Sequence, residues 1–434
     1  MKKIQYQINA KISPEVHLHY NTYSNQFILL NEKKHKIFTE RTPIEIKNKD
    51  PKLYQTLIDT FYLIPENFDE IEVIKHLKRN MQYNSSLYQI MINTTLDCNL
   101  RCWYCYENLI PGSQLKNEVI EAIKKNIDFE YTRARFNTLK LSFFGGEPFL
   151  YFKGIKKVLE YAYNFCKNHN IILIADFTTN ATLINQNHID FLKKFRCHFQ
   201  ITLDGDRKTH NTIKKDLYNV STDNYKKTLD VLQSISTHIK NYWVAIRINF
   251  DNHTLEKIDE IISDIDFMNR KYSYIILKKI WQIPKDKIDR SLLHVAIQKF
   301  IDKEFLVDYY LMPKGHICFA ERNRHVLINY DGQIFKCSTI SSFNEKDSLA
   351  KLNFNTGEIV WDLMKSAYWL KDITPQQCIE CPWFPACLGP CNKQLLTNRD
   401  RFLCTFDSIN MNTPEFLMYL FKLHLLKLKL NHSE

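Results

Sequence analysis

Three cysteines stand within one short stretch, Cys98-Asn-Leu-Arg-Cys102-Trp-Tyr-Cys105. Three thiolates can hold three irons of a [4Fe-4S] cube and leave the fourth iron free for a ligand that is not protein. A structural zinc site would want four protein ligands, and the nearest further cysteine, Cys166, lies beyond the next predicted strand. Gly145-Gly146-Glu147-Pro148 then closes that strand. Two glycines allow close backbone approach to a ligand, and the Glu147 carboxylate can accept bonds from an ammonium. Seven more cysteines follow: Cys318, Cys337, Cys378, Cys381, Cys387, Cys391 and Cys404. Cys166 and Cys197, beside an apolar helical pattern and a strand, read instead as buried small hydrophobes.

The elements that must position these thiols are legible from periodicity. Apolar alternation around Phe27–Leu30, then a helical pattern from Leu53 to Leu77, predicts a small α+β unit over residues 1–86. Over 87–305 six β-rich runs alternate with helical patterns. The runs are 88–96, 139–144, 171–178, 199–203, 243–250 and 274–280; the helices carry sets such as Val119, Ile123, Ile127 and Ile155, Leu159, Ala162. This rhythm predicts an α/β fold with a parallel sheet and right-handed crossovers, curling into a partial (β/α)6 barrel with ligands at the carboxyl ends of the strands. Residues 306–406 lose the rhythm, and metal in place of a large apolar core is the expected support. Residues 407–434 read as a C-terminal helix, too short and too charged to span a membrane.

Composition narrows the function classes. The 434 residues carry a net charge of +11, with 59 basic residues spread along Lys-rich helices rather than gathered in a block. Nucleic acid is therefore not an expected partner, whereas an acidic peptide suits the charge. The polar run Ile4 to Asn9 replaces the apolar segment of a signal peptide, and no uncharged apolar stretch of about 18 residues occurs, so a cytoplasmic location without membrane is expected. In that reducing compartment the 12 cysteines are not expected to pair as disulfides, and metal binding is the leading account of the clustered ones.

The spacing Cys98-x3-Cys102-x2-Cys105 resembles the signature of the radical S-adenosylmethionine (SAM) superfamily, with Tyr104 where that signature favours an aromatic residue. The resemblance implies a [4Fe-4S] cluster whose open iron binds SAM and whose electron splits it to methionine and a 5′-deoxyadenosyl radical. It implies further that Gly145, Gly146, Glu147 and Pro148 position the SAM amino group. Thr178-Thr179-Asn180 looks like the segment near the SAM ribose, and Thr202-Leu203-Asp204-Gly205 like the SLDG segment, with Thr202 in the hydroxyl position. Lys214 stands where many relatives carry an arginine for the SAM carboxylate, replacing a bidentate fork by a point charge.

The order of the later cysteines, with Gly332 between the first two, resembles the SPASM domain of peptide and protein maturases. The resemblance implies two auxiliary iron–sulfur clusters, one enclosed by Cys378, Cys381, Cys387 and Cys404, the other held by Cys318, Cys337 and Cys391 with a ligand position open. It also implies a precursor peptide or protein substrate, a flavodoxin- or ferredoxin-like electron donor, and for residues 1–86 either a leader-binding role or a cap on the barrel. Richness in Lys, Asn, Ile and Tyr resembles maturases of grasp-with-spasm systems. Sulfatase maturases resemble one another in an aspartate directly after the second SPASM cysteine, proposed as their base. Here Ser338 follows Cys337, and a serine is no base near neutral pH. The expectation is a peptide-modifying radical SAM/SPASM enzyme, with formylglycine formation and non-catalytic electron transfer as the alternatives.

Overall fold

The computed structural model describes residues 1–217, 222–309, 317–340, 342–371, 373–397 and 404–431. The sequence-assigned segments 306–406 and 407–434 therefore run in part, at 310–316, 341, 372, 398–403 and 432–434, outside the described residues. The chain packs as two units, Asn84–Tyr309 with Phe319–Leu370 and Lys429–Glu434, and Met1–Tyr83 with Tyr310–Cys318 and Lys371–Leu428.

The first unit is organised on a sheet whose seven leading strands run parallel: β1 (Leu87–Thr95), β2 (Thr138–Gly145), β3 (Ile172–Thr179), β4 (Arg196–Thr202), β5 (Tyr242–Phe250), β6 (Ser273–Lys279) and β7 (Leu306–Asp308). Helices α1 (Asn117–Arg133), α2 (Phe152–His169), α3 (Gln186–Leu192), α4 (Asn224–His238), α5 (Ile258–Asp264) and α6 (Arg290–Asp302) lie in the crossovers. Their apolar stripes are buried, as Val119, Ile123, Ile127, Ile155, Leu159 and Ala162 show. Along each strand one set of side chains is buried with those stripes and the alternate set is more polar, because successive residues point to opposite faces. The predicted six β/α repeats are thus present, and β7 adds a seventh strand.

The segment after Phe319 departs from the expectation of a metal-held loop. The strand β8 (His325–Ile328) joins the free edge of β1 in parallel, and β9 (Gln333–Phe335), β10 (Ala350–Leu352) and β11 (Ile359–Trp361) continue as an antiparallel meander. The sheet order is β7-β6-β5-β4-β3-β2-β1-β8-β9-β10-β11, so it stays open. Apolar packing supports this extension, through a cluster of Met91, Leu96, Leu327, Phe335 and Phe343. Gly332, at φ +89, makes the β8–β9 turn with its ring neighbour Phe354 at 2.7 Å from where a Cβ would stand.

In the second unit, strands Gln7–Ser13, Val16–Asn21 and Gln26–Asn31 form an antiparallel meander followed by helix Glu32–Glu40. The helical pattern from Leu53 to Leu77 is interrupted: Pro51–Asp59 ends, Phe61 takes φ 61, Leu63–Ile64 pairs with Lys2–Lys3, and Glu70–Gln82 begins afresh. These early elements share a core with the late cysteine-rich segment. Tyr6, Ile74, Phe384 and Leu388 cluster, the Tyr6 hydroxyl donates to Ile379 O at 2.7 Å, and the Thr22 hydroxyl to Pro382 O at 2.7 Å. The C-terminal helix spans Thr413–Asn431, and no helix among the described residues is long and apolar enough to cross a membrane.

Candidate functional site

The loop carrying Cys98, Cys102 and Cys105 leaves the carboxyl end of β1 and is shaped by the end of β2. Gly146 N donates to Thr95 O at 3.0 Å and Glu147 N to Asp97 O at 2.9 Å. A Cβ on Gly145 would stand 1.9 Å from Thr95 O, and one on Gly146 2.1 Å from Asp97 O. The close approach that requires the two glycines is thus to the backbone of the cysteine loop, where the sequence suggested a ligand. Asp97 holds the loop from within, accepting from Cys98 N at 2.8 Å and Gly112 N at 2.9 Å.

The three thiols fit an iron–sulfur cluster by donor chemistry. Burial, with the Glu147 carboxylate next, pushes the Cys98 thiol up to about 12. Burial also raises Cys102, against the Lys214 charge, and Cys105, against a Glu107 backbone N–H. The charges of Cys102 and Cys105 act on Cys98, although among the described residues no three His, Cys, Asp or Glu side chains are yet arranged to hold a metal ion. Thiolates so placed need cationic partners, which iron supplies. Leu100 N and Asn180 Nδ2 approach Cys98 Sγ at 3.4 and 3.8 Å. A bound [4Fe-4S] cluster with SAM would supply the reducing electron and the radical.

Glu147 is buried and already engaged. It accepts from Phe149 N at 3.0 Å, the Thr179 hydroxyl at 2.7 Å and Asn180 N at 2.7 Å. Burial pushes its carboxyl up to about 7 against those donors. The β2 end is thereby tied to the β3 end, and Pro148 opens the short 3-10 turn that follows. Asn180 extends the link, donating to Asn99 Oδ1 at 3.0 Å while its Oδ1 receives Thr182 N at 3.0 Å.

At the ends of β4 and β5 lies a buried polar network. Asp204 accepts the Tyr104 hydroxyl, the Lys214 ammonium at 3.2 Å, Asn249 N at 2.8 Å and Asn249 Nδ2 at 3.1 Å. Lys214 Nζ also donates to the Thr202 hydroxyl at 2.9 Å. Burial alone would raise Asp204, but Lys214 and the other donors hold it below its ordinary value; burial alone would lower Lys214, but Asp204 keeps it well above its own. The structure thus brings together Cys98, Cys102, Cys105, Tyr104, Gly145, Gly146, Glu147, Pro148, Asn180, Thr202 and Lys214. Sequence reasoning assigned no role to Asn99, Asp204 or Asn249. The usable signal for Asn249 was an amide on the polar side of the alternating run Ile246-Arg247-Ile248-Asn249-Phe250.

In the other unit, burial and then the charges of Cys387, Cys404 and Cys381 raise Cys378 to about 11, without the four being arranged as metal ligands. Cys381 N donates to Cys378 O at 3.1 Å, and Cys387 N to Trp383 O at 2.9 Å, so short turns carry these residues. Cys337, buried after β9, belongs to the first unit; Cys318 and Cys391 belong to the second. Cys166 and Cys197 are buried, and Cys197 Sγ donates to Leu192 O at 3.4 Å.

Residues 92–265 match the Radical SAM superfamily. The cysteine-type anaerobic sulfatase-maturating enzyme of Clostridium perfringens is 21% identical over 335 residues, 68% of this chain and 86% of the relative. The radical SAM cyclopropyl synthase TigE of Paramaledivibacter caminithermalis is 25% identical over 366 residues, 76% of this chain and 74% of the relative. The solved structure of native anSMEcpe with bound AdoMet and Cp18Cys peptide superposes with TM-score 0.59 at 17% identity, covering 80% of this chain and 100% of that one, a likeness of fold. With the superfamily match lying over the strand ends that carry Cys98, Glu147 and Asn180, the chain is an enzyme that bears a radical SAM domain over residues 92–265.

Proposed function

We propose that this enzyme modifies a ribosomally made precursor peptide, installing a crosslink or altering a residue by hydrogen abstraction. Cys98, Cys102 and Cys105 would hold the SAM cluster. Cys378, Cys381, Cys387 and Cys404 would hold one auxiliary cluster. When bound, SAM and its cluster would supply a radical that takes one hydrogen from the peptide, and an auxiliary cluster would supply an acceptor for the electron that bond formation releases together with a proton. A flavodoxin or ferredoxin would deliver the electron that starts each turnover.

The observation that carries this reading over formylglycine formation is the turn at Cys337. Ser338 follows the cysteine where sulfatase maturases carry a carboxylate, and Thr339 closes the turn onto the sulfur, with N at 3.4 Å and the hydroxyl at 3.2 Å. The relatives support a polypeptide substrate, since one is named for sulfatase maturation and the similar solved structure holds a peptide. Large apolar side chains left exposed at the site's rim, Trp103 and Trp281, suit such a ligand. Their loops are joined where Gln282 Nε2 donates to Tyr104 O at 2.7 Å. An acidic leader would add a strand to an edge of the meander at Gln7–Asn31.

The test is anaerobic turnover with SAM, a reductant and short peptides encoded beside the enzyme, read by mass spectrometry. Loss of two hydrogens from the peptide is expected. Replacement of a cysteine sulfur by oxygen in a sulfatase peptide, with neighbouring peptides untouched, would favour the sulfatase-maturase reading. No 5′-deoxyadenosine at all would leave only non-catalytic electron transfer.

A further inference from the structure

On β5 the side chains of Val244, Ile246, Ile248 and Phe250 are buried with the helices, so Ala245, Arg247 and Asn249 share the opposite face. Asn249 is part of the Asp204–Tyr104–Lys214 network, and its Oδ1 accepts from Arg247 Nε at 3.0 Å. That bond orients the guanidinium while leaving its two terminal nitrogens without a partner among the described residues; no carboxylate pairs with it. Arg247 lies opposite Thr202 in the β4–β5 register, at the strand ends where the cysteine loop is anchored. Its charge acts on Tyr106, just past Cys105, and, after burial, helps to lower Lys278 of the neighbouring strand.

A half-buried guanidinium is always charged and is poorly compensated without an anion, and its planar fork matches a carboxylate bidentately. Lys214, the residue that the sequence suggested for this task, is committed elsewhere: it is buried, bonded to Thr202 and paired with Asp204. We infer that Arg247, held in position by Asn249, is the residue that grips a carboxylate at the mouth of the radical site, while Lys214 is a positioning residue for Asp204 and the cysteine loop. The inference rests on the radical SAM assignment. Two sources offer that chemistry, the amino-acid carboxylate of SAM and an acidic group of the peptide substrate.

The experiment uses the full chain with its clusters reconstituted anaerobically, as wild type, Arg247→Gln and Arg247→Lys. Binding of SAM and of decarboxylated SAM is measured by titration calorimetry. Binding of a glutamate-containing pentapeptide and of its glutamine counterpart to the SAM-loaded enzyme is measured by the same means. If SAM is the ligand, Arg247→Gln weakens SAM about 10- to 100-fold, the loss typical of a charge-assisted bond, and leaves decarboxylated SAM unchanged. If the peptide is the ligand, SAM binding is unchanged, and the wild-type preference for glutamate over glutamine disappears in Arg247→Gln. Arg247→Lys, which keeps the charge but loses the fork, falls between wild type and Gln in either case, and iron content and melting temperature stay at wild-type values. Wild-type discrimination in both pairs of ligands retained by Arg247→Gln would overturn the inference. A wild-type enzyme that binds no SAM would instead overturn the radical SAM assignment itself.

Discussion

At the scale of single residues, the site depends on a few contacts with no slack. Gly146 is the plainest case, because the carbonyl against it belongs to Asp97, whose own side chain caps the loop that bears Cys98. A backbone oxygen cannot swing away as the tip of a flexible side chain can. Gly146→Ala is therefore expected to cost about 1–3 kcal/mol of stability through overpacking and to displace the cysteine loop. Chemical denaturation checks the first part, and iron content after reconstitution, expected to fall by about one cluster of four irons, checks the second. The Asp204–Lys214 pair works differently: each charge is tolerated in the interior because the other is there, and Thr202, Tyr104 and Asn249 fill the remaining bonding positions.

At the scale of elements, one junction in the meander unit has a pH dependence written into it. His17 and His19 on strand Val16–Asn21 meet His35 on helix Glu32–Glu40: His17 stacks on His35 at 3.6 Å, and His19 Nε2 lies 3.0 Å from His35 Nδ1. Glu32 bonds His17 at 2.9 Å, Lys11 bonds Glu32, and Phe38 and Tyr62 pack edge-on to His19. Burial, then the like charges of His35 and His17, lowers His19 to about 3, and burial with His17 lowers His35 as well. The unfolded chain binds protons at these groups near the ordinary value of 6.5 while the folded unit does not, so folding stability is full above that value and falls as pH drops through it. Glu32, held down to about 2 by its His17 bond, stays charged throughout this window. Amide hydrogen exchange along Val16–Asn21 is expected to quicken between about pH 7 and pH 5, and His19→Leu to flatten that response. An unchanged pH dependence in the variant would show that the trio is not its source.

At the scale of the whole molecule, the meander and the late cysteine turns are one folding unit, joined by hydrogen bonds that span 360 and 373 positions of the chain. Tyr6 and Thr22 reach the carbonyls of Ile379 and Pro382, and Tyr20 packs against Trp383 at 6.0 Å. Deleting residues 1–83 is therefore expected to remove the support of the four-cysteine turns as well as any leader-binding surface. The deletion variant should lose roughly four irons held by Cys378, Cys381, Cys387 and Cys404 while keeping the α/β circular dichroism of the sheet. Full iron retention in the variant would show that the cysteine turns stand without the meander.

Much of this was legible in one dimension. The cysteine spacings are fixed by ligand geometry over a few residues, and the β/α alternation is written in periods of two and 3.6, so both survive without knowledge of the fold. The thiols Cys98, Cys102 and Cys105, the six repeats and the buried Cys166 and Cys197 were read on that basis. Tertiary structure alone decided what Gly145 and Gly146 press against, that Lys214 is held by Asp204 and Thr202, that the Arg247 fork meets no partner among the described residues, and that apolar packing extends the sheet through β8–β11. Tyr104 meets Asp204 across 100 residues of chain and Asn249 across 145. Such pairs are set by which strand ends lie side by side, and that order arises only when the sheet assembles.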